Sequence, residues 1–246
     1  MHFRYKLMAD DPALKALYQK WYVEGGGTPE QPETPETPTL AKPLLNKAEN
    51  VAYIQGSGGL FRPADQLSRA EAVTMLARLS VDEQGDALFQ QNGGAAADFT
   101  DVDPGQWYAA AVGFAQQYGV VGGYEDGTFQ PNKAVTRAEL VKIIAAYFPV
   151  PEGGKPPFGD VPGDHWAASA IAYAAEQGWV GGYEDGSFQP DKAVTRAEAV
   201  RIINGALGRR ADPGAIDQVG AVSPFEDVTP AYWAYGDILE ASGNTK

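Results

Sequence analysis

The residue types that could do chemistry in this chain recur in one short pattern. Ser68-Arg69-Ala70-Glu71, Thr136-Arg137-Ala138-Glu139 and Thr195-Arg196-Ala197-Glu198 each hold an arginine between a hydroxyl residue and a glutamate. A Ser or Thr followed three positions later by Glu is a capping box: the hydroxyl accepts the N3 amide, and the glutamate accepts the cap's own N–H. Ser68, Glu71, Thr136, Glu139, Thr195 and Glu198 are therefore read as structural caps. Each arginine sits at the first helical position, where the positive end of the helix dipole makes a cation mildly unfavourable. Two explanations are open. Free N–H groups at a helix start, with an arginine beside them, can bind an anion. Alternatively, each arginine pairs with a nearby carboxylate and ties the repeats together.

Other chemistries lack their residues. With no cysteine, disulfides, thiolate metal sites and thiol nucleophiles are excluded. A glycosidase needs two carboxylates with distinct roles, and the recurrent candidates, Glu139/Glu198 and Asp101/Asp160, are explained by caps. His2 and His165 form no recurring pair. Tyr124-Glu125-Asp126-Gly127 lacks the alternating acidic ligands and later Glu of a calcium loop. We therefore expect no enzyme, no metal and no cofactor. A net charge of −13 with no basic stripe argues against a general nucleic-acid partner. No apolar run approaches the ~20 residues that span a bilayer, so no membrane insertion is expected.

The elements that position these residues come from an internal repeat. Phe99-Thr100-Asp101-Val102, Trp107, Gly122-Gly123-Tyr124-Glu125-Asp126-Gly127-Thr128-Phe129-Gln130-Pro131 and the second capping box return as Phe158-Gly159-Asp160-Val161, Trp166, Gly181-Gly182-Tyr183-Glu184-Asp185-Gly186-Ser187-Phe188-Gln189-Pro190 and the third. Each unit reads as helix, loop, helix. The first helix carries Trp107, Ala111, Phe114, Ala115 and Tyr118 on one face and stops at Gly119, in the C′ place. Pro131 bars a helix until the capping box. The second helix turns Leu140, Val141, Ile144 and Tyr147 inward, and Val135 and Leu140 can close a hydrophobic staple.

The ends hold complementary halves. Residues 53–79 supply a loop and second helix without a first one, and Phe225, Asp227, Val228, Trp233 and Ile238 supply a first helix without a second. Neither half can bury its apolar face alone. The expected fold is mostly α: three helix–loop–helix repeats in a closed, pseudo-threefold arrangement, with the last helix packing on residues 50–80. The domain plan is 1–24, remnant of an upstream domain, with a strand near 2–7 and a helix near 13–23; 25–43, a Pro/Glu-rich linker; 44–98, 99–157 and 158–224, the repeats; and 225–246, the first helix of the split repeat. Prolines at 29, 32, 35 and 38 favour polyproline II, so residues 25–39 read as a spacer reaching ~45 Å at about 3.1 Å per residue.

These residues resemble the S-layer homology family, whose hallmark is F-x-D-V-x-x-x-x-W, G-x-x-x-G-Y-x-D-G-x-F-x-P and [IV]-T-R-A-E. The resemblance covers about residues 44–246. It implies a three-pronged helical domain with grooves between prongs, and non-covalent anchoring to secondary cell-wall polysaccharide, often bearing pyruvylated N-acetylmannosamine. It also implies an extracellular place, at the cell wall or S-layer of bacteria with Gram-positive-type walls, with the signal peptide not in this chain. The other reading is a self-assembling S-layer subunit using the repeats for protein–protein contacts.

With that ligand, the arginines would meet a pyruvate carboxylate. Trp107, Trp166 and Trp233 would offer sugar-stacking faces, although a tryptophan on an amphipathic helix is more often core. Gly123 and Gly182 would admit a ligand to the backbone, or serve a tight turn. Asp101, Asp160 and Asp227 would accept sugar hydroxyls, or cap the first helix, which is the preferred reading. The first copy departs from the pattern: Gln55-Gly56-Ser57-Gly58-Gly59-Leu60-Phe61 lacks the Tyr and the Asp-Gly turn. Arg137 and Arg196, in complete units, carry the expectation of binding; Arg69 is expected to be structural.

Overall fold

A computed structural model describes residues 40–92, 94–209 and 222–245. The chain divides into units Met1–Leu40 and Ala41–Lys246. The expected strand near 2–7, the helix near 13–23 and the spacer at 25–39 lie outside the described residues. The second unit is mostly helical. Its elements are β1 (Leu44–Leu45), α1 (Arg69–Leu79), β2 (Ser80–Val81), α2 (Leu88–Asn92), α3 (Ala109–Gln117), α4 (Arg137–Ala145), α5 (Ala168–Glu176), α6 (Arg196–Leu207) and α7 (Tyr235–Ser242).

Capping boxes start α1, α4 and α6. Ser68, Thr136 and Thr195 are extended at the N-cap and accept the amides of Glu71, Glu139 and Glu198. The glutamates return the bond to the cap amides at 2.8, 3.0 and 2.8 Å. Glycines stop the helices: Gly119 (φ +67°) and Gly178 (φ +69°) follow α3 and α5 in the left-handed region. There the amides of Val120 and Trp179 reach back to Ala115 and Ala174 at 2.7 and 2.8 Å, the six-to-one bond of a Schellman ending.

The extended residues before the three capping boxes meet at one place. Leu67 donates its amide to Val194 (3.0 Å), Val194 to Val135 (3.0 Å) and Val135 to Leu67 (2.9 Å), a closed cycle of three bonds. All three side chains are fully buried. Bonding continues outward in the same order. Arg69, Arg137 and Arg196 donate their amides to the carbonyls of Lys133, Lys192 and Asp65. Ala70, Ala138 and Ala197 donate theirs to Pro131, Pro190 and Pro63.

Helices pair across repeats: α1 packs on α3, α4 on α5 and α6 on α7. The second helix of one unit thus takes the first helix of the next. This corrects the expected partner of the last helix, since α7 lies on α6 and α1 is covered by α3. The C-terminal segment still reaches residues 50–62. Tyr53 and Ile54 donate to Ala241, and Glu226 donates to Gly59 (2.9 Å). A tilted phenylalanine pair recurs three times: Phe99–Phe129 at 5.5 Å, Phe158–Phe188 at 5.2 Å and, joining the two ends, Phe61–Phe225 at 5.3 Å.

Two features have no counterpart in the repeat pattern. Strands β1 and β2 pair antiparallel, with Leu44 opposite Val81. Helix α2 places Phe89 edge-on against Phe114, centroids 5.5 Å apart.

Candidate functional site

The sequence made helix N-termini the candidate anion sites, and the structure closes them. The first two amides of α1, α4 and α6 bond to carbonyls of a neighbouring loop, and the third bonds to the capping hydroxyl. A bound anion would find no free N–H there.

The arginine side chains follow the same path. Nε of Arg69, Arg137 and Arg196 donates to the carbonyls of Phe129, Phe188 and Phe61, each at 2.9 Å. The guanidinium of Arg69 lies between the rings of Tyr124 and Phe129, 4.6 and 4.8 Å from their centroids. That of Arg137 lies between Tyr183 and Phe188, at 4.9 and 4.7 Å. Arg69 also pairs with Glu139 (3.4 Å), and Arg196 with Glu71 (3.3 Å). Arg69 and Arg137 are each only 6% exposed. Geometrically, the arginines tie one repeat to the loop of the next. This also corrects the pairing assumed from sequence. An arginine serves not its own unit but a neighbour, so Arg69 and Arg137 face the two complete Tyr loops. Arg196 faces the shortened loop at 55–61, where Nη2 reaches Gln55 O at 2.9 Å.

The glutamates do more than cap. Glu139 accepts from the Tyr124 hydroxyl (2.7 Å), and Glu198 from Tyr183 (3.1 Å) and Lys192 (3.2 Å). Burial works against the charge of Glu139. The Thr136 amide, the Tyr124 hydroxyl, Arg69 and Lys133 outweigh it and hold the carboxyl below its ordinary range. Glu198 is lowered similarly, against burial, by the Thr195 amide and Lys192. Burial and the bond to Glu139 push the Tyr124 hydroxyl up.

The aspartates do not cap the first helices, whose N-cap residues Tyr108, Ala167 and Ala234 make no side-chain cap bond. Instead the two carboxylate oxygens of Asp101 take the amides of Phe129 (2.7 Å) and Gln130 (2.8 Å). Asp160 takes Phe188 (2.8 Å) and Gln189 (2.7 Å). Asp227 does the same for Phe61 (2.8 Å) and Arg62 (2.7 Å), across the two ends of the chain. Gly123, at φ +71°, and Gly182 make room for phenylalanine rings: an added Cβ would meet Phe99 Cε1 at 2.4 Å and Phe158 Cε1 at 3.0 Å. These two positions have a packing reason independent of any ligand.

The tryptophans behave oppositely to the expectation of a core role. Trp107, Trp166 and Trp233 are 62%, 56% and 53% exposed. They stand just before α3, α5 and α7, each against its chain neighbour (Tyr108, His165 and Tyr232, centroids 5.3, 5.3 and 5.8 Å away) with the rest of the ring open. Two of them border grooves. One groove of about 670 Å³ is lined by Arg69, Gly123, Tyr124, Glu139 and Trp166. Its counterpart, of about 530 Å³, is lined by Arg137, Gly182, Tyr183, Glu198, Arg201 and Trp233. Arg201, absent from the sequence reading, lies 5.6 Å from the Trp233 ring centroid and 3.4 Å from Asp237. Its signal was only a cation on the solvent side of α6, which ordinary surface helices also show. Among the described residues, no group of His, Asp and Glu could hold a metal, and no helix is long and apolar enough to cross a membrane.

Residues 98–141 and 157–200 match the model of the S-layer homology domain. The chain carries this family's domain in both segments. Cell surface glycoprotein 1 of Acetivibrio thermocellus is 35% identical over 208 residues, 79% of this chain and 8% of that protein. The Cellulosome-anchoring protein of the same organism is 34% identical over 199 residues, 78% of this chain and 42% of that protein. The Surface-layer 125 kDa protein of Lysinibacillus sphaericus is 33% identical over 156 residues, 62% of this chain and 13% of that protein. The chain thus spans less than half the length of each of these relatives.

Proposed function

We propose that this chain is a non-catalytic anchoring module that binds secondary cell-wall polysaccharide, recognising a pyruvylated N-acetylmannosamine. Residues 44–98, 99–157 and 158–224, with 225–246 completing a split unit, form a closed, pseudo-threefold, three-pronged domain. The place of action is extracellular, at the cell wall or S-layer.

The observation that carries this reading is the exposed tryptophans at groove mouths that also hold a guanidinium and a tyrosine. An aromatic face suits the apolar side of a sugar ring, and a guanidinium suits the ketal carboxylate. A guanidinium has five N–H groups. Arg137 commits Nε to Phe188 and one Nη2 hydrogen to Gly181 O (3.3 Å), which leaves donors for a ligand. Sugar hydroxyls would find Tyr124, Tyr183 and the glutamates. Anchoring is the role that names one relative, the Cellulosome-anchoring protein.

The test is co-sedimentation with purified pyruvylated wall polymer. Alanine at Arg137 or Arg196 would loosen the fold, so the informative variant is Trp166→Ala with Trp233→Ala. It should melt like the parent and lose binding at least about tenfold, the loss of one or two stacking contacts. Undiminished binding would remove the tryptophans from the site.

Self-assembly through the repeats is favoured by one observation, the surface-layer protein among the relatives. Light scattering without polysaccharide separates the readings: a monodisperse monomer would count against assembly, and growing particles would support it.

A further inference from the structure

The two complete grooves are not equal. Five positions after the arginine that starts each second helix, the chain carries Thr74, Lys142 and Arg201. Thr74 is buried, and its hydroxyl donates to Ala70 O (2.8 Å), so it offers a ligand nothing. Lys142 is exposed and borders a different cavity, of about 540 Å³, with Gly119 and Gly122; it does not line the groove of Arg69. Arg201 borders the same cavity as Arg137. Its side chain is half exposed, yet it is held from two sides, by the Trp233 ring and the Asp237 carboxylate.

From this we infer that Arg201 is a specificity-determining residue, and that it makes the groove between α6 and α7 the tighter site for an acidic sugar. The inference rests on the carbohydrate reading above and deepens it. Two guanidiniums lining one cavity can take a planar carboxylate as a fork, with the second reinforcing the first. Lys142 supplies only a flexible point charge at the equivalent place. Asp237 meets Arg201 through Nη1 at 3.4 Å, a long bond with which a ligand carboxylate can compete. At the third arginine, Arg196, the facing loop carries Ser57 where the others carry tyrosine, and Thr74 stands in place of the cation, so no comparable acid-binding site is expected there. The chain should therefore bind carboxylated sugar at two sites of unequal affinity.

Calorimetric titration tests this, with two probes: the methyl glycoside of 4,6-pyruvylated N-acetylmannosamine and its unpyruvylated parent. Wild type should show a tight and a weaker class for the acidic probe. Arg201→Gln should merge the tight class into the weaker one, a loss of about tenfold, consistent with one charge-assisted contact. Its affinity for the neutral probe should stay unchanged, which a merely structural role of Arg201 would not give. Lys142→Arg, a variant that preserves charge and fold, should tighten the weaker class. If Arg201→Gln leaves both acidic classes as they were, or weakens both probes alike, the assignment of Arg201 is overturned while carbohydrate binding stands. If Lys142→Arg leaves the weaker class unmoved, the ranking by this position is overturned. Wild type binding neither probe overturns the carbohydrate reading, and this inference with it.

Discussion

At the residue scale, the charged and aromatic side chains exchange the roles their types suggest. The arginines are enclosed and the tryptophans are open. Arg137 lies between two rings with Nε on a buried carbonyl, so Arg137→Ala leaves Phe188 O unpaired. The expected cost is about 2–3 kcal/mol by chemical denaturation. Lysine should not restore it, because the fork and the stacking plane are lost. The glutamates give a pH dependence of definite sign. Glu139 and Glu198 are held below the ordinary carboxyl value of 4.5 in the folded state. Their stabilisation is complete above about pH 4.5 and is lost as pH falls through their lowered folded values. Thermal melts from pH 7 to 3 should show the midpoint dropping below pH 4.5. In Glu139→Gln with Glu198→Gln that drop should be shallower.

At the element scale, much was legible because the signals are local. Ser68, Thr136 and Thr195 announce α1, α4 and α6 through a spacing that satisfies amides within one turn. Gly119 and Gly178 announce the stops. What the sequence hid is non-local. The fate of the arginine fork depends on carbonyls 51 to 135 residues away. Asp101, Asp160 and Asp227 have the composition of caps, yet they bridge 28, 28 and 166 residues to loop amides. Helix α2 and the β1–β2 pair occur once, so repetition could not reveal them. The glycine before each loop tyrosine was ambiguous from sequence; its reason is a phenylalanine ring. Gly123→Ala combines a positive φ with a ring 2.4 Å from the new Cβ. It should destabilise by about 2–3 kcal/mol or more in a denaturant titration, the scale of backbone strain joined to overpacking.

At the scale of the whole molecule, the cycle Leu67–Val194–Val135 and the contacts Asp227–Phe61 and Phe225–Phe61 bind the two ends of the described unit to each other. Complementary halves at the two ends made that meeting legible; the choice of α6 as partner of α7 was not, because both candidate helices carry the same apolar pattern. Coupling of this kind predicts one cooperative transition, coincident by tryptophan fluorescence and far-UV circular dichroism. Asp227→Ala removes two charge-assisted bonds, a half-buried one to the Phe61 amide and an exposed one to the Arg62 amide. It should lower stability by about 2–3 kcal/mol while that transition stays single.

The central claim is that the grooves recognise an acidic wall sugar. The most direct measurement is calorimetric titration of the chain with pyruvylated wall polymer and with the same polymer after mild acid removal of the ketal. The account predicts saturable binding to the first, lost or weakened at least about tenfold in the second, as expected when a guanidinium loses its carboxylate. Equal binding to both polymers, or binding to neither, would contradict it.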